Sequence, residues 1–150
     1  MSMQTFITGS TAHREARGFT LLEVLIAVVI LSIGLLGLAG LQATGLKNNH
    51  SAYLRSQATT YAYDIIDRMR ANRQTALAGN YNIALGAAAP TGTSIAEADL
   101  ANWRNLITNN LPAADSSANV NGGRVTVVVQ WDDSRAGGSA TQSITVESEL

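Results

Sequence analysis

The sequence predicts an α+β fold built on one long N-terminal helix, with an apolar first half and an amphipathic second half. A small antiparallel sheet and one short helix are expected to pack on the C-terminal half of that helix. Two observations lead to this prediction. Residues 19–41 carry a single charge in 23 positions, and two segments of alternating apolar residues, separated by a Gly-Gly turn, lie near the end of the 150-residue chain.

Composition excludes several classes of function. Only 14% of the residues are charged, against roughly 25% in typical soluble domains. Lys and Arg number 10 against 11 Asp and Glu, a net charge of −1, so there is no electrostatic reason to expect nucleic acid as a partner. The absence of cysteine excludes disulfides, a thiol nucleophile and thiolate metal sites.

The apolar segment at 19–41 reads FTLLEVLIAVVILSIGLLGLAGL. About 20 apolar residues suffice for a helix to cross a hydrocarbon core of ~30 Å. A buried helix of a soluble domain is the alternative, but the rest of the chain is too small and polar to surround it. An ordinary signal peptide would be followed by a small-residue cleavage site, which is lacking here. Lys and Arg are equally frequent on both flanks and do not fix the orientation.

The residues at the start of this segment, RGFTLLE at 17–23, resemble the prepilin signature of type IV pilins and type II secretion pseudopilins. In those families a membrane peptidase cleaves after the glycine on the cytoplasmic side and methylates the new N-terminal phenylalanine. The resemblance implies a leader of residues 1–18, cleavage between Gly18 and Phe19, and N-methylation of Phe19. Whether translation starts at Met1 or Met3 stays open.

Glu23 is the one charge within the apolar segment. A carboxylate at the centre of a membrane helix costs about 2.5–3.5 kcal/mol, so such a residue normally has a partner. Glu23 lies one helical turn after Phe19, whose amino group becomes available on cleavage, in the same chain or in a neighbour. The family resemblance implies the neighbour's amine, in a charge pair that registers incoming subunits. The alternative is a side chain that reaches interfacial water.

Small residues interrupt the second part of the apolar helix, where a glycine costs about 1 kcal/mol relative to alanine. Those at intervals of three also form a face for close helix packing. The resemblance to pilins adds local unwinding within a filament as a second interpretation. The small residues are Ser32, Gly34, Gly37, Gly40 and Gly45.

An amphipathic half at 46–73 follows the apolar half at 19–45, so one helix is predicted from about residue 19 to about residue 73. Its apolar stripe contains Leu54, Ala58, Tyr61, Ala62, Ile65 and Met69. Asp64 and Arg68, four residues apart, support its exposed face. Residues 17–72 as a whole closely resemble the PilV-type minor pilins, the type IV pilus modification proteins.

That resemblance implies a low-abundance subunit that helps to prime pilus assembly and indirectly supports adhesion and twitching motility. The implied partners are the prepilin peptidase, other minor pilins and the major pilin, the inner-membrane assembly platform and a tip adhesin. The precursor would cross the inner membrane once, with its leader in the cytoplasm and its head in the periplasm, in contact with the lipid bilayer until it enters the surface pilus.

The globular head is predicted at 74–150. After a loop at 74–93, Ser94 and Glu97 fit a capping box that opens a helix at 95–111, and Pro112 ends it. A polar stretch at 113–123 leads to a hairpin at 124–149 with two alternating strands. Leu100, Trp103, Ile107 and Leu111 form the apolar face of the helix. The first strand alternates at Val125, Val127, Val129 and Trp131, and the second has Gln142, Ile144 and Val146 on one face. Trp103 and Trp131 are expected to anchor the core.

Catalytic and metal-binding patterns are absent from the sequence, so no enzyme activity, cofactor or metal is expected. His50 lies in a polar helical run, and Asp132 and Asp133 are turn formers. Two other functions stay open beside the minor pilin. One is a minor pseudopilin of a type II secretion system, which shares the stem and the processing, and the other is a binding domain on an uncleaved single-pass anchor.

Overall fold

The computed structural model describes residues 18–150, so residues 1–17 of the expected leader lie outside the described part. The chain divides into two compact units, one ending at Gly40 and the other spanning Leu41–Leu150. The first helix, α1, runs over Leu21–Ala71 and contributes residues to both units. Each unit is described by itself below.

Helix α1 ends two residues earlier than the sequence predicts. Asn72 has a non-helical backbone (φ −120°, ψ 48°), and a separate helix α2 follows at Arg73–Leu77. The Asn72 side chain makes two hydrogen bonds: its Oδ1 accepts from the Thr75 hydroxyl of α2 at 2.7 Å, and its amide nitrogen donates to the Tyr81 hydroxyl at 3.4 Å. The prediction of a loop from residue 74 onwards was therefore wrong for the residues of α2.

The second unit has one hydrophobic core, to which the C-terminal part of α1 supplies a buried stripe. The predicted stripe is confirmed except at Tyr61, which is half-buried, and Ile66 joins it. Helix α3, Ile95–Asn110, begins with the predicted capping box: the Ser94 hydroxyl accepts from the Glu97 N–H, and the Glu97 carboxylate accepts from the Ser94 N–H. The core residues of α1 are Leu54, Ala58, Ala62, Ile65, Ile66 and Met69.

Three antiparallel strands form one sheet in the order β1-β2-β3. Strand β1 is Asp115–Asn121, β2 is Arg124–Trp131 and β3 is Gln142–Glu149. The inward side chains of β2 are all buried, as the alternation predicts, and both tryptophans of the chain, Trp103 and Trp131, are fully buried. The polar stretch at 113–123 was predicted as a connection, and that prediction was wrong because β1 occupies most of it.

Strand β1 exists because β2 gives it a partner along its whole length, from Asp115 opposite Gln130 to Asn121 opposite Arg124. Its inward positions hold residues small enough for the space beside the bulkier side chains of β2, namely Ser116, Ala118 and Val120. The described residues thus form an α+β fold with a long apolar N-terminal helix, a three-stranded sheet and a short helix, and the predicted fold class is confirmed.

Candidate processing and assembly site

Gly18 and Phe19 precede α1 in an irregular, solvent-exposed segment. Phe19 is 81% exposed. A Cβ atom added at Gly18 would meet no other atom within 4 Å. The peptide bond between these residues is therefore not shielded by any described part of the chain, and a protease could approach it closely.

Thr20 caps α1, a role that the sequence analysis missed. The Glu23 N–H donates to the Thr20 hydroxyl at 3.2 Å, and the Val24 N–H donates to the Thr20 carbonyl, also at 3.2 Å. The spacing Thr-x-x-Glu is that of a capping box and could have revealed this role. Because the cap is Thr20, removal of residues 1–18 would leave every hydrogen-bonded residue of the helix in place.

Glu23 and Phe19 border the same shallow groove on the surface of α1, together with Ala27 and Leu31 at the following four-residue intervals. The carboxylate stands in the first turn, where the helix dipole favours negative charge. No ion pair of Glu23 is present among the described residues. Glu23 and Phe19 thus line one groove, and the described residues supply no ion pair for the Glu23 carboxylate.

The side chains of the apolar part of α1 are exposed on all sides of the helix. Its most apolar 18-residue window has a mean hydropathy of 2.8 with no residue buried, and α1 is the one described helix long and apolar enough to cross a membrane. The Ser32 hydroxyl donates to the Val28 carbonyl at 2.7 Å, so this polar group is satisfied within the helix. Cβ atoms added at Gly34, Gly37, Gly40 or Gly45 would meet nothing within 4 Å.

The head ties its elements together through a charged network near the end of α1. Arg68 donates to Asp64 at 3.0 Å and to Asp99 of α3 at 3.2 Å, and the Tyr81 hydroxyl donates to Asp99 at 2.7 Å. Burial disfavours the charge of Arg68, but its bonds to Asp99 and Asp64 outweigh that effect and raise its pKa. Burial and the bond to Asp99 raise the pKa of Tyr81.

A buried arginine, Arg104, connects the loop before α3 to the sheet. Arg104 is 8% exposed. It donates to the carbonyls of Ala84, Ala87 and Ser116, and its guanidinium lies 3.1 Å from the Asp115 carboxylate. Arg104 thus supplies hydrogen bonds to backbone carbonyls that would otherwise lack a partner, because the segment beside the strand is irregular. Its role is structural.

The remaining candidate side chains have structural surroundings. Asp132 accepts from the Ser134 N–H at 2.8 Å, as a turn former does, and its bonds to Ser134 lower its pKa. Asp133 is 3% exposed and accepts from the Ser51 hydroxyl of α1 at 2.5 Å. His50 is exposed. Within residues 18–150, no group of three or more His, Cys, Asp or Glu side chains could hold a metal ion.

Comparison with known families gives one match. Residues 13–39 match the prokaryotic N-terminal methylation motif, and the match covers the basic residues before Gly18, the junction of Gly18 and Phe19 and the first part of α1. No curated protein and no solved structure matches the chain significantly. The match supports a type IV pilin-like protein, of the pilin or pseudopilin kind, that prepilin peptidase processes. Proteins with this motif are structural subunits, not enzymes, and the long apolar helix fits anchoring in the inner membrane before pilus assembly.

Proposed function

We propose that this chain is a minor pilin of the PilV type that primes type IV pilus assembly and is incorporated at or near the pilus tip. The observation that carries this proposal is the methylation motif at 13–39, which overlaps the first part of α1, where every apolar side chain up to residue 50 is exposed. An apolar helix of this kind needs a lipid bilayer or other helices around it. The stem of a pilin is surrounded first by lipid and then, in the filament, by other stems. The likeness of 41–72 to the PilV-type proteins supports the finer assignment.

Processing is the first step of the proposed mechanism. Prepilin peptidase hydrolyses the peptide bond between Gly18 and Phe19 and releases residues 1–18 as the leader. Methylation then falls on the new amino group of Phe19. The accessible Gly18 and the cap at Thr20 support this step, because the helix begins beyond the bond that is cut.

Registration follows when the subunit leaves the membrane. The Phe19 amine of a neighbouring subunit would pair with the Glu23 carboxylate, which has no described ionic partner in its own chain. In a medium of low polarity an unpaired carboxylate is costly, so the pair favours one axial position of the incoming helix. The apolar stems then bury one another in place of lipid.

The stem glycines have a place in the same step. Gly34, Gly37 and Gly40 would let neighbouring stems approach closely, or would let the helix unwind locally under packing. Substitutions at Gly37 distinguish close packing of the stems from local unwinding of the helix. If close approach is required, Gly37→Ala should retain more filament incorporation than Gly37→Leu, and if unwinding is required, both variants should lose incorporation equally.

The proposed partners are prepilin peptidase, other minor pilins, the major pilin, the inner-membrane assembly platform and a tip adhesin. The precursor would cross the inner membrane once, with residues 1–18 in the cytoplasm and the head, residues 74–150, in the periplasm. Effects on adhesion and twitching motility would be indirect, through the number of pili that are assembled.

A minor pseudopilin of a type II secretion system is the second candidate, and the methylation motif supports it as much as it supports a pilin. The two differ in their product, since a pseudopilin works in a secretion piston and a pilin in a surface fibre. The third candidate is a binding domain on an uncleaved single-pass anchor. It has no need of a cleavable bond at Gly18.

Intact mass and N-terminal sequencing of the chain from sheared surface filaments and from membranes test the proposal. We expect a chain that begins at N-methylated Phe19 in both fractions, and fewer surface pili when the gene is deleted. Mature chain confined to membranes, with normal pili and lost secretion, would establish the pseudopilin instead. Residues 1–18 retained in both fractions would leave only the anchored domain.

A substitution at the junction makes the test sharper. Gly18→Val places a branched side chain beside the bond to be cut, and we expect the uncleaved precursor to accumulate in the membrane. Gly45→Ala is the matched control, since it also adds a side chain at an exposed glycine but lies far along the helix. It should be cleaved like the natural chain.

A further inference from the structure

The two outer edges of the sheet differ in how their backbone groups are used. At the β1 edge, Ile83 and Ala118 exchange backbone hydrogen bonds of 2.8 and 2.9 Å. On either side of Ala118, the Val120 N–H donates to the Asn82 side chain at 2.7 Å and the Ser116 carbonyl accepts from Arg104. Most of the outward groups along this edge therefore have partners within the chain.

Among the described residues, nothing covers the β3 edge in a comparable way. The Leu150 N–H donates to the Gly123 carbonyl at 3.0 Å, one register step beyond the pair of Arg124 and Glu149. Antiparallel ladders alternate, so the backbone groups of every second residue counted back from Leu150 point to β2. The backbone groups of Ser143, Thr145 and Glu147 then point away from the sheet, and no hydrogen bond to them is present among the described residues.

Strand β3 also has few of the features that protect natural edges, and its charged residues are Glu147 and Glu149. It spans eight residues with an unbroken register to β2, and it contains no proline, lysine or arginine. Proteins usually blunt such an edge with a bulge, a proline or a lysine, because an open edge is a template for another strand. At its far end Arg70 donates to the Glu149 carbonyl at 3.3 Å, so the open part is 143–147.

We infer that the open β3 edge pairs with the β3 edge of a second copy of this chain, antiparallel and centred on Thr145. This register is self-complementary. It places Ile144 opposite Val146 of the other copy on the half-buried face, and Ser143 opposite Glu147 on the exposed face. No glutamate faces another glutamate, and the closely spaced, non-hydrogen-bonded positions hold the apolar pairs.

The paired copies form a closed, two-fold symmetric dimer. The two-fold axis passes beside Thr145, each copy offers the same surface, and the two three-stranded sheets join into one. The outer edges of the joined sheet are the two β1 edges, where most outward backbone groups already have partners. Pairing should therefore stop at two copies, and this inference concerns the head alone, independently of whether the stem serves a pilus or a secretion system.

Cysteine cross-linking of the mature chain in detergent micelles tests the register, since the natural chain contains no cysteine. Two Thr145 residues would face each other directly across the axis, within the Cα separation of about 4.4–6.8 Å that a disulfide allows. We expect Thr145→Cys to form a covalent dimer on mild oxidation. Ser143→Cys alone should not, because each Ser143 faces Glu147, but a mixture with Glu147→Cys should cross-link.

Equal cross-linking of Ser143→Cys and Thr145→Cys would overturn the register, and no cross-linking of Thr145→Cys would overturn the pairing. Sedimentation of cysteine-free variants gives an independent measurement. Thr145→Pro removes an outward N–H without touching the ladder to β2 and should weaken dimerisation at least tenfold. Thr145→Val, which keeps that N–H, should dimerise like the natural chain, and tryptophan fluorescence should show that both variants are folded.

Discussion

Two glutamates in this chain stand in the first turn of a helix, three residues after a hydroxyl cap, and their surroundings give them different roles. Glu97 follows Ser94 in the head and bonds both the hydroxyl and the N–H of its cap. Glu23 follows Thr20, whose hydroxyl accepts from the Glu23 N–H, but it has no described ionic partner. The same local motif thus stabilises one helix start and leaves a charge available at the other.

Glu23→Gln keeps the size and the capping geometry and removes only the charge. We expect normal membrane insertion and leader removal, with incorporation into filaments reduced about tenfold or more, since loss of only ~1.4 kcal/mol already gives a tenfold change. Quantitative immunoblots of sheared filaments against membranes measure this ratio. Glu97→Gln is the matched control and should be incorporated normally. Equal incorporation of both variants would contradict registration through Glu23.

The two tryptophans differ by one hydrogen bond. The Trp103 indole N–H donates to the Tyr61 carbonyl at 2.8 Å, whereas the buried Trp131 indole N–H has no partner among the described residues. Both phenylalanine variants lose packing, but only Trp103→Phe also loses a hydrogen bond. We expect Trp103→Phe to be the less stable of the two by about 1 kcal/mol in denaturant unfolding. A larger loss for Trp131→Phe would contradict this reading of the core.

At the scale of single elements, the start of α3 should respond to acid. Bonds from the Ser94 hydroxyl and N–H lower the pKa of Glu97 below its usual value of 4.5. A group whose pKa is lower in the folded state contributes stability above its unfolded-state pKa, and that contribution is lost as the pH falls through the folded-state pKa. Acid should therefore weaken the cap of α3.

The matched comparison for this prediction is Glu97→Gln, which can still accept hydrogen bonds but does not titrate. The natural chain should be more stable than this variant at pH 7, and the difference should narrow as the pH falls below 4.5. Thermal unfolding followed by circular dichroism in one detergent at both pH values measures the difference. A gap that stays constant with pH would show that the carboxylate charge does not contribute to the cap.

Elements with a strong pattern were predictable from the sequence, and elements defined by their partner were not. Alternating valines predict strand β2, and the capping box and the spacing of apolar residues predict α3. Strand β1 has the sequence DSSANVN, in which Val120 is the one β-branched residue and no residue is aromatic. Its pairing with β2 is what makes it a strand. The bond between Ser51 and Asp133 joins residues 82 positions apart, which no local pattern can reveal.

The candidate site was more predictable than the head, because its information is local. Gly18, Phe19 and Glu23 lie within six consecutive residues, so their spacing is visible in the sequence. The cap at Thr20 was missed although its Thr-x-x-Glu spacing is visible in the sequence. What the sequence could not supply is the open edge of β3, since the exposure of a strand depends on what every other segment covers.

For the whole molecule, the division of the chain at Gly40 predicts a division of stability. Among the described residues, every buried residue of the hydrophobic core lies between Leu54 and Trp131, and none comes from the first unit. A chain of residues 41–150 should therefore fold without detergent. Its unfolding temperature should lie within about 5 °C of the value for the mature chain in micelles, a shift that corresponds to roughly 1 kcal/mol.

A shorter chain of residues 60–150 is the control for this prediction, since it removes Leu54 and Ala58 from the core while leaving the sheet and α3 intact. Truncating a buried leucine to alanine already costs about 2–5 kcal/mol, so this chain should unfold at a clearly lower temperature or not fold at all. If residues 41–150 instead behaved like the shorter chain, the apolar stem would be part of the folding unit. The head would then need its membrane or filament surroundings to fold. Release of the stem from lipid during assembly would lower the stability of the folded head.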